Sequence, residues 1–445
     1  MADTGLLLSY YGDDLTGSTD VMEALELGGV STVLFTSLPD DGLLARFAGC
    51  RAIGLAGTSR SETPAWMQEN LTPAFAWLKS LGAAVSHYKV CSTFDSSPAI
   101  GNIGRAIEIG RRAFGQDSVP LVVGAPQLRR YTAFGNLFAF YRDRTYRIDR
   151  HPVMSRHPVT PMHEADLLRH LAGQTDLSSA LVDLAELRSP DRGAIIDRAR
   201  AASHFFLIDV DGPETQALAG ETLWRLAQAD APFIVGSSGV EYALLSHWRK
   251  TGVAPGTASF APAGAVERLA VVSGSVSPTT ERQIGHAVAA GYAGVPVDPL
   301  TLVGENGQAA IADAIAKGLT ALRQGRSVIL YTALGPGADR GSEIDRHEGA
   351  RHRLGRALGV ILRDLIRQEG LRRAVIAGGD TSSHALGQLG IEALTVRMPL
   401  PQSPGSPLCV AHSRDRQVDG LEIALKGGQV GTDSYFEAIR LGESP

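Results

Sequence analysis

Cysteine is scarce in this sequence, and its arrangement narrows the possible classes of protein. The three cysteines, Cys50, Cys91 and Cys409, lie far apart and form no CxxC pair. This pattern argues against a disulfide framework and predicts reduced thiols in a cytoplasmic protein. No apolar run approaches the ~20 residues that cross a bilayer, and the first residues lack the basic and apolar regions of a signal peptide. We therefore expect neither a secreted nor a membrane protein.

The sequence also lacks a strong excess of charge of either sign. Lysine and arginine number 42 against 47 aspartates and glutamates, which gives a net charge of −5. This balance gives no electrostatic reason to expect nucleic acid or an anionic membrane surface as a partner. Hydrophobic residues make up 44% of 445 residues, a globular composition whose length predicts two or more domains.

Several catalytic signatures are missing as well. There is no GxxxxGK[ST] motif and no protein-kinase set, so an ordinary P-loop enzyme and a protein kinase are not expected. The segment Gly335–Gly341 has the wrong spacing for the dinucleotide fingerprint, which disfavours a nicotinamide oxidoreductase. Without HExxH or GxSxG, zinc-peptidase and α/β-hydrolase chemistry lack support.

Glycine, by contrast, is abundant. Fifty residues are glycine, roughly 11% of the chain against a usual value of about 7%. Most of them follow short apolar runs, and in an open α/β sheet ligands bind where strands end. The apolar runs alternate with helical patterns, which predicts an α/β fold of two domains with mostly parallel sheets flanked by helices.

The domain organisation follows from composition along the chain. A small, Pro- and Gly-rich segment at residues 251–266 indicates a linker. It separates a predicted N-terminal domain at residues 1–250 from a C-terminal domain at residues 267–445. Candidate strands lie at Leu6–Tyr11, Thr32–Thr36, Ala52–Ala56, His87–Cys91, Leu121–Val123, Phe205–Val210, Phe233–Val235, Leu269–Val272, Ser327–Tyr331, Arg373–Ala377, Leu394–Arg397 and Leu421–Leu425.

Two adjacent carboxylates, Asp13 and Asp14, follow the first candidate strand. One can accept a proton from a substrate hydroxyl while the other orients the substrate or a metal-bound water. Asp14 is the first candidate for the base and Asp13 the second. The following helix is expected to take Ser18 or Thr19 as its cap. The alternative is that both carboxylates only cap the turn.

Further polar residues in the N-terminal domain suit an acidic, hydroxylated ligand. Lys89 stands on a candidate strand, and Ser92 and Thr93 follow its exit, although hydroxyls before a helix are often only caps. Arg130, one of two adjacent arginines, is able to hold a carboxylate by two hydrogen bonds, although such pairs also occur on solvated faces. The segment Arg150–His163 carries three histidines without zinc spacing. It is predicted to be a substrate-facing arm or lid rather than a metal site.

Glycine- and hydroxyl-rich exits also mark the C-terminal domain. Ser277 as cap and Pro278 at the first helical position predict a helix start whose N–H groups form a phosphate cradle. A second helix is predicted at Thr381–Leu389, with Gly390 ending it. Each exit alone is weak evidence, but four in one domain predict a nucleotide. The four exits are residues 273–280, 333–337, 378–384 and 426–431.

Five motifs occur in one order along nearly the whole chain, and together they resemble the four-carbon acid sugar kinase family. The motifs are GDDLTGSTD at Gly12–Asp20, KVCST at Lys89–Thr93, GSSG at Gly236–Gly239, SGSVS at Ser273–Ser277 and GGDTS at Gly378–Ser382. The resemblance implies an N-terminal acid-sugar domain and a C-terminal ATP domain. It also implies phosphorylation of the terminal hydroxyl of a four-carbon sugar acid, with ATP and Mg²⁺ as cofactors and domain closure to exclude water.

Within that family, CSTFDSSP at Cys91–Pro98 and MSRHPVTPM at Met154–Met162 look most like the 3-oxo-tetronate 4-kinase branch. Other branches tend to carry an arginine-glycine pair where this chain has Phe94-Asp95. This departure disfavours a D-threonate or D-erythronate kinase, which remains the alternative. A second alternative is a non-catalytic sugar-acid sensor. The motifs leave open whether the protein forms a homo-oligomer. The implied substrate positions are Asp13, Asp14, Lys89, Ser92, Thr93 and Arg130. The implied nucleotide positions are Ser273, Ser275, Gly378, Gly379, Asp380, Thr381 and Gly428.

Overall fold

The computed structural model describes residues 5–157, 159–254, 256–347, 349–400 and 403–443. The side chains of Asp380 and Ser383 lie outside this described part. Strands and helices alternate along most of it. The strands are β1 Leu8–Gly12, β2 Thr32–Phe35, β3 Ala52–Ala56, β4 Val85–Lys89, β5 Val119–Val122, β6 Arg130–Ala133, β7 Asn136–Tyr141, β8 Arg144–Arg147, β9 Ser179–Val182, β10 Phe205–Ile208, β11 Phe233–Gly236, β12 Ala270–Ser273, β13 Ala293–Pro296, β14 Val328–Tyr331, β15 Arg373–Ala377, β16 Ala393–Met398, β17 Leu408–His412 and β18 Glu422–Lys426.

The helices connect these strands. None of those in the described residues is long and apolar enough to span a membrane. They are α1 Leu15–Leu27, α2 Asp41–Ala45, α3 Pro64–Ser80, α4 Ile103–Phe114, α5 Leu167–Ala172, α6 Leu184–Arg188, α7 Arg192–Ala202, α8 Pro213–Ala229, α9 Gly239–Thr251, α10 Pro278–Ala289, α11 Pro299–Val303, α12 Gly307–Arg323, α13 Gly341–Ile344, α14 Ala350–Glu369, α15 Gly379–Leu389 and α16 Tyr435–Leu441.

The chain divides into two compact units, and the first comprises residues up to 32 together with residues 40–258. Its sheet has the order β3-β1-β4-β11-β5-β10-β9, and all of these neighbours are parallel. β1 and β4 are buried along their whole length, as expected for parallel strands that are covered on both faces. A separate small antiparallel sheet consists of β6, β7 and β8.

The second unit comprises residues 33–39 and the chain from residue 259 onward. Its strands have the order β13-β14-β12-β15-β18-β17-β16-β2, parallel from β13 to β18 and antiparallel from β18 to β2. β2 therefore pairs with a strand distant in sequence, with Leu34 opposite Leu394. The predicted α/β class with mostly parallel sheets flanked by helices is confirmed.

Most predicted strands occur, but several bounds and elements differ. β3 and β15 lie where predicted, whereas β4 ends at Lys89, two residues before the predicted end. The strands β6, β7, β8, β9, β13 and β17 were not predicted. β13 carries Gly294 and Pro296, which weaken the sequence signal of a strand. The predicted arm at Arg150–His163 follows β8, with short 3₁₀ turns at Ile148–Arg150, where the arm begins, and at Met154–Arg156.

The start of α1 also differs from the prediction. The helix begins at Leu15, and Asp14 is its cap because the Asp14 side chain accepts a hydrogen bond from the Gly17 N–H. Ser18 and Thr19 lie inside the helix, so their prediction as caps was wrong. At the other predicted starts, Ser277 caps α10 with Pro278 at the first position, and Gly390 ends α15 with a positive φ of 70°. Both of these predictions are confirmed.

One buried arginine, Arg373, lies at the start of β15 in the second unit's sheet. The Arg373 side chain is 1% exposed and donates from Nε to Glu422 Oε2 at 2.8 Å. Its Nη1 donates to the carbonyl oxygens of Gly264 at 2.9 Å and Ile439 at 2.7 Å. Arg373 therefore ties β15 and β18 to the segment that enters the unit and to α16.

We predict that Arg373→Met destabilises the protein by about 3 kcal/mol, because it leaves Glu422 and two carbonyls without their buried partner. The measurement is urea unfolding followed by circular dichroism. Arg225→Met is the matched control, since Arg225 pairs with Asp197 on the surface and such pairs contribute about 0–1 kcal/mol. Equal losses in the free energy of unfolding of the two variants would contradict the larger contribution that we assign to the buried contact.

Candidate functional site

The predicted acidic pair lies at the carboxyl edge of the first unit's sheet. The parallel register places Gly12, the last residue of β1, opposite Lys89, the last residue of β4. The Asp13 N–H donates to the Lys89 carbonyl at 2.9 Å. A Cβ on Gly12 would lie 1.9 Å from Ser18 Oγ, so the turn into α1 is too close for any side chain. Asp13 and Asp14 therefore start at a fixed position beside Lys89.

Arg60, which follows β3, connects the carboxylates at this edge. Its Nη1 donates to Asp14 Oδ2 at 3.1 Å and its Nη2 donates to Asp95 Oδ2 at 2.7 Å. Its backbone N–H donates to the Asp13 carbonyl at 3.1 Å. Burial alone would raise the pKa of Asp95, but Arg60 and a hydrogen bond from Thr93 lower it to about 2. Asp95 is therefore ionised at neutral pH and holds Arg60 in place.

Asp13 differs from its neighbour in its surroundings. The residue is 4% exposed, and among the described residues its Oδ1 has no hydrogen-bond partner. Burial and the charge of Asp14 raise the pKa of Asp13 to about 7, against the opposing effect of Arg60 and Lys89. A buried carboxyl with an unused acceptor atom and a pKa near neutrality has the properties of a proton acceptor.

Lys89 supplies a buried positive charge at the same edge. Burial acts to lower its pKa, but the carboxylates of Asp14, Asp13 and Asp20 raise it above the ordinary value. A Cβ on Gly17 would lie 2.0 Å from Lys89 Nζ, so the ammonium packs directly against the first turn of α1. The lysine thus remains charged beside the acidic pair.

The other predicted sugar-site residues lie in the turn after β4 and in β6. Arg60, Lys89 and Arg130 are all neighbours of Cys91, which places these three cations around one turn. Arg130 Nη1 donates to the Leu128 carbonyl at 3.0 Å, while its buried Nε has no partner among the described residues. Burial lowers the pKa of Arg130.

The two predicted hydroxyls of this turn differ in their contacts. Thr93 Oγ1 donates to Asp95 Oδ1 at 2.5 Å, so its proton is already engaged. Ser92 is half-buried, and its hydroxyl makes no hydrogen bond within the described ranges.

The histidine-containing arm also reaches this turn. The Thr160 hydroxyl lies 3.5 Å from Asp95 Oδ2, and His157 Nδ1 accepts the Thr160 N–H at 3.1 Å. His157 contributes to lowering the pKa of Asp95. Pro158, part of the predicted arm, lies outside the described residues. The arm therefore contacts the turn that carries the candidate sugar-site residues.

In the second unit, three of the four predicted glycine-rich exits, at residues 273–280, 378–384 and 426–431, meet at one edge. The register places Ser273, at the end of β12, opposite Ala377, after which the loop to α15 begins. Ser275 Oγ lies 3.0 Å from Thr280 Oγ1, and Thr280 Oγ1 donates to the Gly428 carbonyl at 3.1 Å. A Cβ on Gly428 would lie 3.1 Å from Ser275 Oγ, so the two loops are in close contact.

The start of α15 completes this cluster. Gly378 has a φ of 118°, which favours glycine, and a Cβ there would lie 2.9 Å from Thr381 Oγ1. Among the described side chains none caps α15 at Gly378, so the first N–H groups of the helix, from Gly379 onward, are available to an anion. Asp380 belongs to the same turn, and its side chain lies outside the described part. The predicted nucleotide residues are thus brought together at one helix start and two adjacent loops.

Sequence reasoning missed three residues that the structure places at these edges. Arg60 follows β3, and its position became relevant only because β3 lies next to β1. Asp95 lies within the predicted hydroxyl cluster but was not assigned a role there. Lys426 ends β18, next to the predicted Gly428, and its side chain is fully buried. The one available signal was position, because all three follow or end strands of a parallel sheet.

Comparison with known proteins finds two family domains in the chain. The family described as the sugar-binding N-terminal domain matches residues 8–244, and the nucleotide-binding C-terminal domain matches residues 270–436. The chain belongs to the four-carbon acid sugar kinase family.

The relatives of this acid sugar kinase cover nearly its whole length. A 3-oxo-isoapionate kinase of Paraburkholderia graminis is 47% identical over 98% of this chain and 95% of the relative. A 3-oxo-tetronate kinase of Cupriavidus necator is 30% identical over 98% and 96%. A crystal structure of Haemophilus influenzae protein HI1011 shares the fold, with a TM-score of 0.70 and 23% identity over 97% of this chain and 99% of that chain.

We predict that Gly274→Ala in this kinase weakens MgATP binding by about ten- to a hundred-fold, because small displacements of a binding loop are costly. The new Cβ would lie 2.2 Å from Thr381 Oγ1 and force the loop after β12 away from α15. Isothermal titration calorimetry measures the effect.

Gly285→Ala is the matched control, since a Cβ at that position of α10 meets nothing within 4 Å. Equal MgATP affinity in Gly274→Ala and Gly285→Ala would show that nucleotide binding does not depend on this loop contact.

Proposed function

We propose that this protein transfers the γ-phosphoryl group of ATP to a hydroxyl group of a 3-oxo acid sugar. The observation that carries the proposal is the buried Asp13 carboxyl, with its unused Oδ1, beside the cations of the sugar-binding domain. An acid sugar brings a carboxylate for the cations and a hydroxyl proton for the carboxyl. Both requirements of the chemistry are therefore met by residues at one sheet edge.

The substrate carboxylate is assigned to Lys89 and Arg130. Lys89 is buried and charged, and Arg130 has a buried Nε–H that no described residue accepts. Arg60 is less suitable, because Asp14 and Asp95 already accept its hydrogen bonds. A carboxylate between Lys89 and Arg130 would supply the missing acceptor and compensate the burial of a cation.

Asp13 is assigned as the general base. In the reaction the substrate hydroxyl oxygen bonds to the γ-phosphorus, the bond from that phosphorus to the bridging oxygen of ADP breaks, and the hydroxyl proton passes to Asp13. Asp14 is less suitable, because it caps α1 and pairs with Arg60. Its negative charge instead helps to raise the pKa of Asp13.

ATP is assigned to the edge formed by the loops after β12 and β18 and the start of α15. Backbone N–H groups and serine hydroxyls at such a helix start suit phosphate oxygens. Mg²⁺ prefers oxygen donors and keeps several of its waters, so it binds largely through nucleotide phosphates. The hydroxyls of Ser275 and Ser277 fit this preference, and bound Mg²⁺ would neutralise charge on the phosphates.

The candidate substrate is 3-oxo-isoapionate, because the relative that bears this name is 47% identical to this chain. The 4-hydroxyl of 3-oxo-tetronate, which the motifs indicated, is the second candidate and is supported by relatives at about 30% identity. D-Threonate and D-erythronate follow as the third candidates.

A substrate panel tests the function. We expect coupled ADP release with 3-oxo-isoapionate and 3-oxo-tetronate in the presence of Mg²⁺, with the higher kcat/KM for 3-oxo-isoapionate, and little release with D-threonate. The Asp13→Asn variant provides the background for each substrate. Binding of an acid sugar without ADP release from any of them would favour the non-catalytic sensor and refute the proposal.

The base assignment predicts that Asp13→Asn lowers kcat by ~10²–10⁴-fold, the usual contribution of a general base. The MgATP affinity should stay unchanged, because the residue lies in the other unit. Steady-state kinetics and calorimetry measure the two effects. Full activity in Asp13→Asn would rule out Asp13 as the base.

The neighbouring carboxylate gives a pH prediction with a definite sign. The base acts when deprotonated, so kcat/KM should rise as the pH passes upward through about 7, the pKa of Asp13. Asp14→Asn removes a negative charge that raises this pKa, so the rise should move to lower pH. Asparagine retains the capping oxygen for α1.

The measurement is kcat/KM against pH for the wild type and Asp14→Asn. Asp197→Asn, which alters an exposed ion pair of the same unit, is the control and should leave the profile in place. If the pH profile of Asp14→Asn did not move, the group that titrates in the profile would not be Asp13.

A further inference from the structure

Lys426 has an unusual environment for a lysine. Its side chain ends β18 and is fully buried. The ammonium nitrogen donates to the carbonyl oxygens of Gly427 at 2.8 Å and Gly428 at 3.4 Å, and to Thr280 Oγ1 at 3.1 Å. Its three protons therefore point at neutral acceptors, and within the described residues no carboxylate forms an ion pair with it.

The same lysine connects the parts of the nucleotide-site cluster. Thr280 Oγ1, on α10, accepts a hydrogen bond from the Lys426 ammonium and donates one to the Gly428 carbonyl at 3.1 Å. The Lys426 carbonyl accepts the Gly378 N–H at 2.8 Å, directly before α15. One residue thus links α10, the loop after β18 and the start of α15.

A buried cation with neutral partners is costly, because burial removes its hydration without supplying an opposite charge. Burial accordingly lowers the pKa of Lys426 to about 7. The Tyr435 ring lies 6.0 Å from its nitrogen and offers only a weak interaction. By contrast, Lys89 in the first unit is surrounded by carboxylates that raise its pKa. Among the described side chains the charge at Lys426 has no anionic partner, and the ligand of this edge would bring one.

We propose that Lys426 is a positioning residue whose ammonium joins α10 to the loop after β18 and places a positive charge beneath the phosphates of the bound nucleotide. The inference rests on the proposed use of ATP at this edge. It implies that the contribution of Lys426 grows with the number of phosphates, because the attraction acts on their charge and not on the adenosine.

The test compares the affinities of adenosine, AMP, ADP and ATP for the wild type and Lys426→Met by calorimetry. We expect ATP to bind about ten-fold or more weakly to the variant, with a smaller loss for AMP and little change for adenosine. In kinetics, the KM for ATP should rise while the KM for the acid sugar stays unchanged. Lys317→Met, on the exposed face of α12, makes the same chemical change and should have no effect.

Thr280→Val provides a second variant, which keeps the charge and removes its side-chain acceptor. It should weaken ATP binding by a few-fold and leave adenosine binding unchanged, and it carries the test if Lys426→Met fails to fold. Equal losses of affinity for adenosine and ATP, or an unchanged ATP affinity in a folded variant, would overturn this inference. Either result would leave the proposed function standing. A wild-type protein that bound no nucleotide would refute the proposed function itself.

Discussion

Burying charge at the end of a sheet is costly unless opposite charges accompany it, and the first unit is organised around this constraint. Asp13, Asp14 and Asp95 gather at one edge, with Arg60 and Lys89 among them. The compensation is uneven, because Arg60 bonds to two of the carboxylates and leaves Asp13 Oδ1 unused. One ionisable group with a pKa near neutrality thus results from a network whose other members hold fixed charges.

The second unit handles its buried charge in a different way. Its sheet edge carries hydroxyls, glycines and backbone groups around Lys426, and none of the described contacts of that lysine is with a carboxylate. The two buried lysines differ in their surroundings, because carboxylates lie near Lys89 and a hydroxyl and carbonyl groups contact Lys426. Under the proposed function this difference also matches the ligands, since a sugar acid brings one negative charge and a nucleotide triphosphate brings several.

The sequence predicted the class of fold and the clustering of site residues better than the contacts among them. Strands such as β3 and β15 are buried and apolar, and runs of this kind are visible without a structure. Because the strands are parallel, residues after them had to converge at one edge, which brought Asp13 next to Lys89 and Ser273 next to Ala377.

The remaining features depended on distant contacts. Arg60 has no distinguishing sequence signal, because its role arises from the order of β3 and β1 in the sheet. The choice of Asp13 over Asp14 depended on which carboxylate Arg60 and the Gly17 N–H occupy. Nor did the sequence show that Lys426 is buried, since a lysine before two glycines is typical of an exposed loop.

The membership of residues 33–39 in the second unit has a consequence for its autonomy. The polypeptide leaves the first unit after residue 32, contributes β2 to the other sheet, and returns at residue 40. A fragment that starts at residue 259 would lack this strand and leave β16 as an unpaired edge strand, which promotes aggregation. During synthesis, β2 emerges from the ribosome long before its partner strand, so the second sheet is completed by a piece of chain that must wait for it.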